Sequence, residues 1–312
     1  MEEALFISIC IPAYQRPEHL KRLLDSLEIQ SFRRFEVVIT DDSPGPELEN
    51  LVEAHPLKPL IRYFRNQKTL GSPENWNECL RKAKSDWIKI MHDDDWLSGP
   101  DSLLAFAEAI KNGGGRFYFS AFTNVFPDGS SRTIRMSTAR LDALKRDPEI
   151  LVASNRVGPP SAVIFKKDDS TYFDNRMKWL VDLDFYIRYL KKYPAIGYIT
   201  ESLVQIGIGE TQITSTSFGN PEIEIPERFM LLEKLDPAGF RNLTVFDSWW
   251  RFLRNLSIRN TTRIENAGYK GEIPDFIKNM IRQQNKISRA LLKRGLFSKL
   301  FMFMHYLGSR KA

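Results

Sequence analysis

The chain reads as an α/β protein: a mostly parallel sheet flanked by helices, followed by a C-terminal helical extension. Three observations predict it. Short, continuous apolar runs alternate with segments of helical period through the first 122 of 312 residues. Each apolar run stops at turn-forming or acidic residues. Beyond Pro221 the signals are almost all helical.

The elements follow in order. Leu5–Ile11 is a buried-type strand stopped by Pro12. Pro17 opens a helix, a position where proline costs no hydrogen bond, and Leu20, Leu23, Leu24 and Leu27 fall on one face. Phe35–Thr40 is a second strand, broken by Asp41-Asp42-Ser43-Pro44-Gly45, with a short helix from Pro46. Leu60–Phe64 is a third strand. The helix Glu74–Lys84 puts Trp76, Cys79, Leu80 and Ala83 on one side. Trp87–Met91 is a fourth strand, cut off by His92-Asp93-Asp94-Asp95. A helix with Leu103, Leu104, Phe106, Ala107 and Ile110 leads to the strand Phe117–Phe122. The middle, 123–220, is less regular: a turn at Pro127-Asp128-Gly129, a loop at Gly158-Pro159-Pro160, a strand Ala162–Phe165 and a helix around Leu180–Lys191. The expected division is 1–122 and 123–220 as the two halves of one domain, with 221–312 as the extension.

Composition narrows the class. No run of eighteen apolar residues predicts a membrane span, and Met1-Glu2-Glu3 is acidic where a leader's basic segment belongs, so a cytoplasmic location is expected. Cys10 and Cys79 read as two buried, reduced thiols. The net charge of +6 is concentrated in Lys286–Ala312, which carries seven cations and no acid. A nucleic-acid binder would spread that charge over its cleft; here acidic clusters occupy the strand ends, and they repel phosphates unless a metal intervenes. No Walker loop and no G-x-G-x-x-G follows a strand, which argues against phosphate-loop and dinucleotide enzymes.

In open α/β sheets, ligands sit at the carboxyl ends of the strands. Here those ends are acidic: Asp41-Asp42 after the second strand and Asp93-Asp94-Asp95 after the fourth. Adjacent carboxylates next to a buried strand repel one another unless a cation neutralises them. An oxygen-rich set on a short loop suits Mg²⁺ or Mn²⁺ shared with a diphosphate. The competing reading is a solvated turn that caps the next helix. His92 offers a nitrogen ligand or simply packs.

Ile9-Cys10-Ile11-Pro12-Ala13-Tyr14-Gln15-Arg16 resembles the opening "IPAYNR" of family-2 glycosyltransferases. Val37-Val38-Ile39-Thr40-Asp41-Asp42-Ser43 is similar to their "VVVDDGS" segment. Asn66-Gln67-Lys68-Thr69-Leu70-Gly71 with Asn75-Trp76-Asn77 is similar to a third family stretch, and Ile88–Leu97 to the segment carrying their DxD motif. The match is good over the first 100 residues and fainter to about 215. The resemblance implies a GT-A fold and hexosyl transfer from a nucleotide-diphosphate sugar to a saccharide or lipid-linked saccharide, as in bacterial surface-glycan synthesis. It places Pro12, Tyr14, Arg16 and Asn75 at the nucleotide pocket and Asp41 or Asp42 on the base. Asp94 and Asp95 then face the ribose and the metal-bound diphosphate. Two registers stay open: aligned on Trp96-Leu97, the family's first acid falls on His92, whereas a literal Asp-x-Asp uses Asp93 and Asp95. Asp95 is taken as the principal ligand of Mn²⁺ or Mg²⁺, with Asp93 or Asp94 in support.

The family's catalytic base belongs to an "ED" pair opening a helix. Trp179-Leu180-Val181-Asp182-Leu183-Asp184 stands in that place, with Val181 where the Glu belongs. Residues at i and i+2 face different sides of a helix, so at most one of the two faces the cleft; the resemblance puts Asp182 on the base position and leaves Asp184 structural. One base opposite the leaving group implies inversion. Gly158-Pro159-Pro160-Ser161 resembles the acceptor loop, and Gln212, after Gly207-Ile208-Gly209-Glu210, the mobile segment beside the diphosphate. Two alternatives are an inactive nucleotide-sugar binder, given His92 and Val181, and a sugar nucleotidyltransferase, against which the glycine-free Tyr14-Gln15-Arg16 speaks. The last stretch, Leu291–Leu307, mixes bulky apolar and basic residues; it reads as a helix lying on the inner face of a membrane, or as one docked on the protein or a second subunit.

Overall fold

The computed structural model describes residues 6–170, 172–209 and 219–309. The first part comprises β1 (Ile7–Ala13), α1 (Pro17–Glu28), β2 (Phe35–Asp41), α2 (Glu47–Ala54), β3 (Ile61–Arg65), α3 (Glu74–Lys82) and β4 (Trp87–Ile90). Then come β5 (Trp96–Leu97), α4 (Ser102–Asn112), β6 (Phe117–Val125), β7 (Ser131–Ile134), α5 (Thr138–Arg146), a 3₁₀ segment (Pro148–Ala153), β8 (Val163–Lys166), α6 (Val181–Lys192) and β9 (Ile196–Gly207). The remainder is helical: α7 (Pro221–Leu232), α8 (Leu243–Asn255), α9 (Thr262–Asn266), α10 (Asp275–Asn285), α11 (Arg289–Lys293) and α12 (Gly295–Ser309).

All the strands join one sheet, in the order β3-β2-β1-β4-β8-β6-β9-β5, with β7 on β6. β1 to β4 are mutually parallel, as the sequence predicts for the first half. Past β4 the sheet is mixed: β8 runs antiparallel to both β4 and β6, while β9 is parallel to β6. The chain leaves β1 toward β2 and β3, then crosses back to lay β4 on β1's other side. That reversal opens a crevice at the carboxyl ends of β1 and β4, where open α/β sheets bind ligands.

Alternation along β1 assigns the two faces. Ile7, Ile9 and Ile11 join Leu20, Leu23, Leu24 and Leu27 of α1 and Leu103 and Phe106 of α4 in one core. Cys10, Val38, Ile88 and Ile90 point the other way, into a core with Cys79 and Leu80 of α3 and Phe185 and Tyr189 of α6. That second core continues without a break into Phe229, Trp249, Trp250 and Met280, so the C-terminal helices form part of a layer over the sheet. Cys10 and Cys79 are both free and buried.

Several strand assignments differ from the sequence reading: the short β5 and β7 are not anticipated, β6 runs on to Val125, and two further differences are larger. β1 runs through Pro12 instead of stopping there. The Cys10 carbonyl accepts from Met91 N at 2.9 Å on the β4 side. Pro12, two residues on, faces the same side, where β4 has given way to the acidic loop, so its missing N–H costs no ladder bond. β9, twelve residues long, is not anticipated at all. Gly197 and the run Thr200-Glu201-Ser202 interrupt its apolar pattern, and its register against β6 shifts around Ala121. Its stability comes from the pairing, which a local reading cannot see.

Because the helical layer and the sheet share a core, we expect one cooperative unfolding transition, followed in urea by circular dichroism. Trp249→Ala should lower its free energy by about 3–5 kcal/mol. A separate, low-denaturant step for the helical part would contradict the shared core.

Candidate active site

A cavity of about 590 Å³ opens at the crevice, within the range of small-ligand sites. One wall comes from the loops after β1, β2, β3 and β4. The other comes from β6, the Gly158–Ser161 loop and the start of α6. Pro12, Tyr14, Arg16, Asp42, Asn75, Asp93, Asp94, Asp95 and Asp182 all line it. Asp41 does not. Gln212 lies outside the described residues.

The turn after β1 is shaped by an unusual backbone. Gln15 and Arg16 have φ of 55° and 60°, the left-handed region, at a cost of about 1–3 kcal/mol each for side-chain-bearing residues. The Gln15 N–H donates to Ser43 Oγ at 2.6 Å, tying this turn to the β2 loop. The turn swings Arg16 over the acidic loop, where its guanidinium pairs with Asp93 and, at 3.3 Å, with Asp94. Tyr14 stays half exposed at the mouth.

The two aspartates after β2 have separate work. Asp41, fully buried, accepts from Ser43 N at 2.7 Å and from the Tyr63 hydroxyl. Asp42 accepts from Asn66 Nδ2 (2.7 Å), Leu70 N (3.0 Å) and Gly71 N (2.8 Å), which folds the β3–α3 loop into the pocket wall. Asn75 ties the strand ends together, donating to the Thr40 carbonyl at 3.0 Å and accepting from Asn66 at 2.9 Å.

At the end of β4, burial dominates the electrostatics. It pushes the Asp93 carboxyl up to about 7, Arg16 opposing, and it raises Asp95 well above the carboxylate range, with the Asp94 charge adding to the shift. Burial also lowers His92 and brings Lys89 down to about 7. Ligand atoms of His92, Asp94 and Asp95 all lie within 4.8 Å of one another. Among the described residues, His92 Nε2 and Asp93 Oδ2 are buried with no hydrogen-bond partner. A raised carboxyl, a converging His-Asp-Asp set and an orphaned imidazole nitrogen together fit a divalent cation. Asp93, expected beside Asp95, is turned instead toward Arg16 and is not part of that set.

Other parts of the fold hold this loop in place. Gly207 N donates to Asp95 at 3.2 Å, and a β-carbon at Gly207 would stand 2.5 Å from the Asp94 carbonyl, so only glycine lets β9 approach this closely. Arg22 stacks 3.7 Å over the Trp96 ring and donates to the Asp94 carbonyl at 2.6 Å. The buried Lys89 ammonium donates to the Ser161 carbonyl, while Ser161 Oγ accepts from His92 N at 3.0 Å. Ser161 therefore links the acidic loop to the opposite wall.

Asp182 stands on that wall, at the first turn of α6. It accepts from Asn155 Nδ2 at 2.7 Å and from Leu183 N at 2.8 Å, and its packed surroundings push the carboxyl up to about 6. Asn155 also brackets Gly158, whose φ of 101° and contact with the Phe122 ring require glycine. Asp184 points away, fully buried, to Arg188 at 2.7 Å and Lys234 at 2.8 Å.

A model of the family Glycosyl transferase family 2 matches residues 8–181. The chain belongs to that family and is a glycosyltransferase. The Staphylococcus aureus glycosyltransferase TarS (residues 1–349), in complex with UDP-GlcNAc, superposes with a TM-score of 0.58 at 16% identity, covering 98% of this chain and 92% of that 1–349 chain. The Pyrobaculum calidifontis mannosyltransferase PcManGT, in complex with GDP-Man and Mn²⁺, superposes at 0.56 and 14% identity, covering 96% and 84%. These likenesses fix the GT-A-type fold. In sequence, the Campylobacter jejuni GalNAc(5)-diNAcBac-PP-undecaprenol beta-1,3-glucosyltransferase is 29% identical over 101 residues, which span 31% of this chain and 33% of that one.

One site residue is invisible to the sequence reading. Glu227 of α7, buried, accepts from the backbone N–H groups of Lys178 (2.7 Å), Trp179 (2.9 Å) and Leu180 (2.8 Å). It gathers the donors at the start of α6 and so fixes where Asp182 stands. Nothing marks it in sequence, since a lone Glu in a helix is ordinary. Glu227→Ala strands three inward donors, and charge-assisted bonds of this kind are worth about 1.5–3 kcal/mol. We expect a lower melting temperature together with a fall in kcat that exceeds any rise in donor KM. Unchanged steady-state kinetics in a folded variant would reduce Glu227 to a stability residue.

Proposed function

We propose that this family-2 glycosyltransferase transfers a hexosyl group from a nucleotide-diphosphate sugar to an acceptor hydroxyl, with inversion and with the help of Mn²⁺ or Mg²⁺. The acceptor is a saccharide or lipid-linked saccharide of bacterial surface-glycan synthesis. The observation that carries the reading is the pairing, across one cavity, of a metal-competent His92-Asp94-Asp95 set with a lone, raised carboxyl at Asp182.

The nucleotide lies between Pro12, Tyr14 and the Asp42-shaped loop, and its diphosphate reaches the end of β4. His92, Asp94 and Asp95 would hold the cation, which would supply Lewis-acid neutralisation of the leaving diphosphate. Arg16 exchanges its aspartate partners for phosphate oxygens. Asp182 takes the proton from the acceptor hydroxyl as it attacks the anomeric carbon, and the nucleoside diphosphate leaves from the opposite face. Pro159, Pro160 and Trp179 wall the acceptor side. The name of the Campylobacter relative, which acts on an undecaprenol-linked saccharide, supports the lipid-linked acceptor class. The division near residue 220 belongs to the same reading, with the catalytic residues before it and their support after it.

Two experiments test the assignment. Calorimetric titration with UDP, GDP and dTDP should show one nucleotide binding in Mn²⁺ and failing in EDTA. Mn²⁺ should also raise the melting temperature of the free protein, and Asp95→Asn should abolish that rise without lowering the metal-free melting temperature, since it removes a buried like charge. A metal-independent nucleotide affinity would displace the cation from the reading.

For the base, Asp182→Asn should cut kcat by about 10²–10⁴ with donor affinity retained. Only the ionised carboxylate accepts a proton. With its pKa about 6, kcat/KM should therefore fall about tenfold per pH unit below 6 and level off above it. Full turnover by Asp182→Asn would move the base elsewhere, and a wild-type chain that binds the nucleotide sugar without turnover would favour an inactive binder.

A further inference from the structure

Helix α12 has one face packed on the protein and one face bare. Ser298, Met302 and Tyr306 are buried; Ser298 Oγ accepts from Trp250 Nε1 at 3.1 Å and from Arg254 at 3.0 Å, and the Tyr306 hydroxyl donates to the Arg241 carbonyl. The opposite arc carries Leu296, Phe297, Leu300, Phe303, Met304 and Leu307, all exposed, Leu296 at 82% and Met304 at 60%. Positions 296, 300, 303, 304 and 307 follow the helical repeat, so these side chains form one continuous stripe. Soluble monomers rarely leave such a patch uncovered.

The surrounding charge identifies the occupant. Lys299 is exposed at the edge of the stripe, and Lys286, Arg289, Lys293 and Arg294 are exposed just before it. No Asp or Glu follows Asp275 in the sequence. A second copy related by a two-fold axis would set this basic rim against itself, which is unfavourable. A nucleic acid would satisfy the cations and leave the stripe wet. Among the described residues no helix is long and apolar enough to cross a membrane, so α12 does not span one.

We propose that α12 lies in the plane of an anionic lipid leaflet, with Leu300, Phe303 and Leu307 entering the acyl boundary and the lysines and arginines on the headgroups. The docked face, held by Ser298 and Tyr306, keeps the helix on the protein while the stripe is immersed. This attachment is independent of the donor and metal assignment. It would place a glycosyltransferase at the surface where lipid-linked acceptors reside.

The test is co-sedimentation of the full chain with phosphatidylcholine vesicles, with and without phosphatidylglycerol, at low and high salt. We expect pelleting with the anionic vesicles only, weakened by salt. Lys293→Ala and Arg294→Ala should each weaken it about fivefold. Leu300→Glu/Phe303→Glu should abolish it with thermal unfolding unchanged, because both side chains face solvent. Failure of the wild-type chain to pellet with anionic vesicles, or undiminished pelleting of the folded double variant, overturns the proposal. A concentration-dependent dimer in sedimentation velocity, lost in the double variant and accompanied by no vesicle binding, assigns the stripe to a second copy instead.

Discussion

The constraint on which the rest of the molecule depends is the negative charge confined at the end of β4. Three consecutive aspartates follow a largely buried strand at the point where the sheet reverses its winding. Left alone, they would repel one another in a poorly hydrated crevice. The fold answers with basic side chains from three directions. Arg16 comes from a turn held in the left-handed region, Arg22 from α1 to the Asp94 backbone, and Lys89 from within β4 itself. These groups hold the loop, and ligand atoms of His92, Asp94 and Asp95 lie within 4.8 Å of one another beside it.

The opposite wall is built by a different device. Among the described residues Asp182 has no charged partner and receives only an amide and a backbone N–H, and burial raises the carboxyl. Asp184, two residues away, is paired with Arg188 and Lys234. Neighbouring carboxylates on one helix thus meet opposite surroundings, according to which side of α6 they occupy. The C-terminal helices are part of this arrangement. Glu227 fixes the start of α6, Lys234 neutralises Asp184, and the core beneath both runs unbroken into Trp249 and Phe229.

Much of this architecture is legible locally. Leu20, Leu23, Leu24 and Leu27 announce α1 because a helix must bury one stripe. Ile88 and Ile90 followed by aspartates announce a strand that ends at a site, because a buried parallel strand has no other use for abrupt charge. β9 stayed hidden because its partners lie some eighty residues earlier on β6. The role of Asp93 stayed hidden because adjacent side chains on a loop diverge in directions that only the backbone fixes. Asp41 and Asp42 look equivalent as letters, yet one is consumed by Tyr63 and the other shapes the pocket.

By itself, the sequence determined the parallel half of the sheet, the order of its loops and the residue types delivered to the crevice, since periodicity and turn chemistry are local properties. Only the tertiary structure decided which carboxylates converge, which are spent on Arg16, Tyr63 or Lys234, and that a glutamate far along the chain holds the start of α6. Those outcomes depend on distances between segments remote in sequence, and on burial, which is a property of the assembled molecule.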